Sequence, residues 1–215
     1  MTLATELELP SIDYTDPALR GERYNDAMAA LHGHDGWLAQ GPFGFIVLDR
    51  EAGEMFLRTK DAVFPGLTIA DIFGISEGPL HEEIVKNIIS INGSDHGRLR
   101  GLVNPALSPR AVDAYRPAMR RFIEQLLAEA APGPTAAFDF VEAIAKPYPS
   151  LVIAEVMGAP LSDAPRLHHW SNWIQRQFDA ASLMTEREQI EAEVASFYEY
   201  ADALIEQRHD SWAKT

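Results

Sequence analysis

The run Ser94-Asp95-His96-Gly97-Arg98-Leu99-Arg100-Gly101-Leu102-Val103, followed by Ser108-Pro109-Arg110-Ala111-Val112, decides how these 215 residues are read. Ser94 or Asp95 offers a side-chain oxygen to the free N–H groups of a helix start. The helix is expected to reach about Leu107, with Pro105 kinking or shortening its far end. His96 and Arg100 stand four residues apart and therefore share one helical face. A ring N–H beside a guanidinium fork makes a good clamp for a carboxylate. Leu99, Leu102 and Val103 fall on the side expected to pack inward, which would hold the clamp rigid. Taken alone, a His-x-x-x-Arg spacing is also that of a capped surface helix whose side chains meet only water, and the bare spacing favours that reading.

Outward from this run the pattern is mainly helical. Ser108-Pro109 repeats a cap-then-proline start, and the helix expected after it, to about Ala130, carries Val112, Tyr115, Met119, Phe122, Ile123, Leu126 and Leu127 near the 3.6-residue period. Ala131-Pro132-Gly133-Pro134 breaks the pattern. Phe138-Asp139-Phe140 reads as a short strand or a helix entrance, with Asp139 and Glu142 spaced as a capping box. Tyr148 to Met157 is apolar almost all round, the pattern of a helix buried on every side. A helix from Ser162-Asp163 to about Phe178, a loop at 180–185 and a long helix from Glu186 to about Arg208 follow. Before the central run, Asp16-Pro17 predicts a helix to about Leu31, ended by Gly33. Trp37–Ala39 and Gly44–Leu48, punctuated by Gly41-Pro42, predict a β-hairpin. Asp49 is placed to cap a helix over Arg50–Thr59. Residues 60–94 hold Pro65, Gly66, Gly74, Gly78, Pro79 and Gly93 and read as a long loop with a helical turn or two, a feature that is often functional.

Composition narrows the chemistry. The net charge of −14 argues against nucleic-acid binding and against anionic membranes. No apolar stretch approaches the roughly 20 residues of a membrane helix. Met1 to Pro10 lacks the basic region of a secretory signal, so a cytoplasmic location is expected. There is no cysteine, hence no disulfide, thiolate metal site or cysteine nucleophile from this chain. Six arginines between His96 and Arg121, against the single acid Asp113, form a basic island in an acidic protein. Such an island is either a solvated helix face or a site for an anionic ligand or acidic partner. His32 with His34, and the adjacent His168 and His169, do not converge as three or four zinc ligands should. No metal site is expected.

Asp95-His96-Gly97-Arg98-Leu99-Arg100-Gly101-Leu102-Val103, then Ser108-Pro109-Arg110, resembles the C-helix region of bacterial cytochromes P450. Phe138–Val141 resembles the family's entrance to the E helix. Tyr148 to Pro160 resembles its Pro-x-x-Val-Ile-hydrophobic-Leu-Gly-Val-Pro run. The helix from Trp170 to Phe178 and the acidic helix 186–208 are similar to F and G. The resemblance spans the chain from Asp16 and is strongest from Asp95 to Pro160. Gly97, where the family commonly has Thr or another β-branched residue, and Asn104-Pro105 within the helix depart from it.

The resemblance implies a mainly α fold with a small β element, the N-terminal part (roughly helices A to G) of the P450 fold. Residues 1–215 would then be one incomplete domain: a helix and hairpin region at 16–59, a loop between the B and C helices at 60–94, and helices C to G at 95–215. His96 and Arg100 would bind the propionates of haem b, whose iron ligand is expected from a C-terminal half. Ile84, Val85, Ile88 and Phe178 would line a substrate pocket, with Ile89 and Met184 of the same kind; core packing is the competing reading for the isoleucines and valine. Arg98, Arg110, Arg116 and Arg120 or Arg121 would face a ferredoxin-type electron donor. The implied function is a fragment of a monooxygenase that oxidises a small apolar substrate with O2, inactive by itself for want of the haem-ligating cysteine. A helical module that binds a ligand or partner without catalysis is the alternative.

Overall fold

Glycine and proline set most of the element boundaries. The computed structural model describes residues 3–33, 36–131, 133 and 137–212, the last helix without its side chains from 209 onward. The breaks expected at Pro132 and Pro134, and His34, lie outside the described residues. Two compact units divide the chain, at 1–63 and 64–215.

In the first unit, helix α1 (Glu22–His32) is followed by strands β1 (Leu38–Gly41) and β2 (Gly44–Val47) and helix α2 (Arg50–Arg58). The strands pair antiparallel, Leu38 opposite Val47 and Gly41 opposite Gly44. Ser11 bridges alongside Gln40, with Ile12 N–H donating to the Gln40 carbonyl at 3.0 Å. Ile12, Leu31 and Ala39 are buried beneath Leu19, Met28, Ile46 and Leu48. The hairpin and α2 sit where the sequence puts them, and Asp49 caps α2 by accepting from Ala52 N–H at 2.8 Å. Helix α1, however, starts at Glu22 and not at Asp16-Pro17. Asp16 caps only a turn, accepting from Ala18 N–H at 2.8 Å, and Gly21 at φ +57 reorients the chain before the helix begins.

The second unit is built on its last helix. Its elements are α3 (Gly66–Ile72), α4 (Pro79–Lys86), α5 (Gly93–Val103), α6 (Pro109–Asp113), α7 (Arg116–Ala130), α8 (Pro147–Met157), α9 (Ala164–Ile174), α10 (Ala180–Thr185) and α11 (Arg187–Trp212). The N-terminal half of α11 buries Ile190 and Val194 against Ala70, Ile75, Leu80, Ile84 and Leu183. Further along, Phe197, Tyr200 and Leu204 cover Ala154, Leu167 and Trp170 of α8 and α9. Side-chain links fix both contacts. The Tyr198 hydroxyl donates to Glu83, and the Tyr200 hydroxyl donates to Asp163 at 2.9 Å.

Residues 60–94, expected as a loop with a turn or two, contain the two helices α3 and α4. Their neck is closed twice. Phe64 N–H donates to the Asn92 amide oxygen at 3.3 Å while the amide nitrogen donates back to the Phe64 carbonyl at 3.0 Å. Beside it, Gly66 lies so close to Ser90 that a Cβ would stand 2.2 Å from the Ser90 carbonyl oxygen.

Other expectations need correction. Helix α5 begins at Gly93 (φ +66), after Asn92, so neither Ser94 nor Asp95 caps it, and it ends two residues before Pro105. Ser108 does cap the next helix, accepting from Ala111 N–H, but that helix is split at 114–115. Pro117, with no N–H to give Asp113, accounts for the break. Residues 180–185 form helix α10 and not a loop, because Asp179 accepts from Ser182 N–H at 3.0 Å. Asp139 caps a wide helical turn over Val141–Ala145 that leads into α8, and Gly158 ends α8 in the left-handed conformation. Helix α8 is not buried on every side: Ile153 is 49% exposed and Met157 stands out beside it, with Phe140 and Val141 exposed nearby. Among the described residues no helix is long and apolar enough to cross a membrane.

Candidate functional site

His96 and Arg100 lie on α5, one turn apart. His96 is half-buried and Arg100 exposed, and among the described residues neither has a hydrogen-bond or ion-pair partner. Arg98, Arg110 and Arg121 are likewise without partners there. Arg116 is tied to Asp113 at 2.7 Å and Arg120 to Glu124 at 3.7 Å, each on its own helix or the turn before it. The basic island therefore divides into two tethered arginines and several whose charge is uncompensated locally. The apolar side chains of α5 do not pack inward as expected. Leu102 is 69% exposed and Val103 is also exposed, while Leu99 is half-buried. An exposed apolar strip beside unpaired donors is the surface chemistry of a face that meets a flat, mostly apolar ligand bearing carboxylates. The donor set fits haem propionates: both groups can donate, both stand on one helical face, and neither is paired with an acid among the described residues.

Ile84 is 5% exposed and belongs to the core shared by α4 and α11, the core-packing alternative. Val85, the next residue on the short helix, is on the outer surface; past the helix end Ile88 is half-buried and Ile89 exposed. Phe178 is 52% exposed and Met184 also projects, at either end of the α10 segment. That segment is held by Arg176, which lies 4.3 Å over the Trp173 ring and pairs with Glu186. Arg187 donates to the Gly74 carbonyl at 3.3 Å, connecting α11 to the turn after α3.

Sequence reasoning missed the Glu83–Tyr198 link, which joins residues 115 apart. No short-range spacing announces it. Glu83 also receives the Asn87 amide, so one carboxylate fixes both the end of α4 and its seat on α11. Burial first, and the Glu83 hydrogen bond second, push the Tyr198 hydroxyl well above the usual tyrosine range. Tyr200 is raised in the same way, by burial and then by Asp163. Among the described residues no three His, Asp or Glu side chains converge as metal ligands. His168 Nε2 accepts from the Asn172 amide, and His169 pairs with Glu193 at 2.9 Å, so the adjacent histidines serve different partners.

The chain is 33% identical over 156 residues to the luteothin monooxygenase of Streptomyces thioluteus, covering 73% of this chain and 37% of that protein. Further relatives from Bacillus subtilis and Rhizobium radiobacter are named as cytochromes P450. Among solved structures, CalO2 superposes with a TM-score of 0.75 at 25% identity, over 94% of this chain and 50% of that one. P450BioI, crystallised with an acyl carrier protein carrying hexadec-9Z-enoic acid, superposes with a TM-score of 0.70 at 23% identity, over 87% of this chain and 48% of its own. The chain thus spans half or less of the length of each of these relatives. No protein-family profile matches it.

Proposed function

The chain belongs to the cytochrome P450 family, and we propose that it is the part of a haem-thiolate monooxygenase that holds one side of the haem. The observation that carries this reading is the pair His96 and Arg100, two donors on one helical face, neither with an ion-pair partner among the described residues. They hold the two propionates and so set the position of the cofactor's edge. Bound haem supplies the activation of O2, and a thiolate ligand favours O–O cleavage. With no cysteine among the 215 residues, that ligand comes from elsewhere, and the chain alone is inactive.

On this reading the parent enzyme oxidises a small apolar substrate, and residues 60–94 roof its pocket. Val85, Ile88 and Phe178 offer apolar surface there, and Ile84 supports them from behind. Arg98 and Arg110, with the tethered Arg116 and Arg120, present a basic face to an acidic ferredoxin-type donor. Attraction of that kind acts on encounter rate and weakens with salt. Residues 1–215 form part of one larger domain. The missing cysteine equally suits a second reading, a helical binding module without catalysis.

Two observations test the proposal. Residues 1–215, supplied with haem, reduced and exposed to carbon monoxide, should show no absorption band near about 450 nm, which thiolate ligation requires. Such a band from this chain overturns the reading. The gene downstream of Thr215 separates the two functions. An in-frame Glu-x-x-Arg and a Phe-x-x-Gly segment with cysteine support the monooxygenase; a stop codon with stable, soluble expression supports the module.

A further inference from the structure

A cavity of about 480 Å³ opens between the start of α8 and the start of α9. It shares no residue with the face formed by His96 and Arg100. Its size falls within the range of small-molecule sites, roughly 300–1,000 Å³. Pro147, Leu151, Leu161 and Pro165 make its walls largely apolar. A few polar groups interrupt them. Ser150 is only 9% exposed, and its hydroxyl has no hydrogen-bond partner among the described residues. No buried side-chain oxygen or nitrogen there is both enclosed and unpaired, so this hydroxyl opens onto the cavity. His168 also lines it. Its Nε2 lies 2.9 Å from the Asn172 amide nitrogen, and its Nδ1 has no partner among the described residues.

The remaining polar groups decide the charge of the occupant. Lys146 is already paired with Glu142 at the cavity edge. A ligand carboxylate would place a second negative charge beside Glu142 and would compete for an ammonium group that is already neutralised. A neutral hydroxyl or carbonyl oxygen meets no such repulsion and satisfies Ser150 and His168. We propose that this cavity is a binding site for a small, mainly apolar molecule bearing one neutral oxygen, separate from the face proposed to hold haem.

The test is a titration of the 215-residue chain, with its leucine and isoleucine methyl groups isotopically labelled, with 1-nonanol and in parallel with nonanoate at pH 8. The methyl resonances of Leu151 and Leu161 should shift saturably with the alcohol, and nonanoate should bind at least about tenfold more weakly. Ser150→Ala should weaken the alcohol about fivefold, the worth of one neutral hydrogen bond. Ser162→Trp fills the cavity mouth from an exposed position, so it should abolish binding and leave the fold intact. The proposal is overturned by the absence of saturation, by equal affinity for the carboxylate, or by unchanged binding in Ser162→Trp. Shifts of the same size at the exposed Ile153 and Ile205 overturn it too, because they report general adsorption to apolar surface.

Discussion

Arg100→Ala separates a cofactor clamp from a surface charge, because the two roles predict opposite pairs of results. In the folded chain Arg100 is exposed and has no acid partner among the described residues, so its removal breaks no interaction there. Its favourable position in the last turn of α5 and the better helix propensity of alanine roughly cancel. The change in unfolding free energy without haem should stay within about 0.5 kcal/mol. With haem bound, the same substitution removes a charge-assisted hydrogen bond to a propionate, worth roughly 1.5–3 kcal/mol. Haem affinity in the parent enzyme should then fall about ten- to hundredfold. Arg100→Lys keeps the charge but loses the planar fork, so it should fall between. The assay is the rate and extent of haem transfer to apomyoglobin, followed by absorbance, beside urea unfolding of the haem-free chain. Unchanged haem retention, or a stability loss as large as the affinity loss, refutes the clamp.

Three other outcomes follow from the packing. Ile190→Ala, fully buried in the first turn of α11, should destabilise the second unit by about 2–5 kcal/mol, seen as a lowered urea midpoint. Gly66→Ala should cost at least about 1–3 kcal/mol, because the new methyl meets the Ser90 backbone and not a movable side chain; a neutral result would show that the neck is not closed in solution. Tyr198→Phe should cost about 1 kcal/mol at neutral pH by releasing Glu83. Its raised folded-state value means that this stability is fully present below about pH 10 and is lost as pH climbs above it, when the unfolded state ionises first. Denaturant midpoints of wild type and variant should therefore converge at high pH.

Local patterning was enough for the order of the helices and for the hairpin, because each depends on neighbours a few residues away. Asp49, Ser108 and Asp139 cap turns or helices where the sequence says they should. The failures share a cause. Asp16-Pro17 has the chemistry of a helix start, but Gly21 redirects the chain, and nothing in the dipeptide reveals that choice. Pro117 was hidden inside a convincing apolar period. Residues 60–94 looked irregular because α3 and α4 are too short to display a period; they are held by contacts with α11, more than 100 residues later. The candidate site was half legible. Helical spacing places His96 and Arg100 on one face, but distant neighbours decide that Leu102 points outward and that Ile84 takes the core-packing alternative.

The doubly closed neck between Phe64 and Asn92 holds the two ends of the intervening stretch together. The Asn92 amide copies a backbone pairing, so residues 64 and 92 keep their separation while the turns beside α3 and α4 vary in length. Lengthening a closed loop is cheap, about 0.6 kcal/mol per doubling. New sequence can therefore be exchanged around α3 and α4 without moving the start of α5, on which His96 and Arg100 ride.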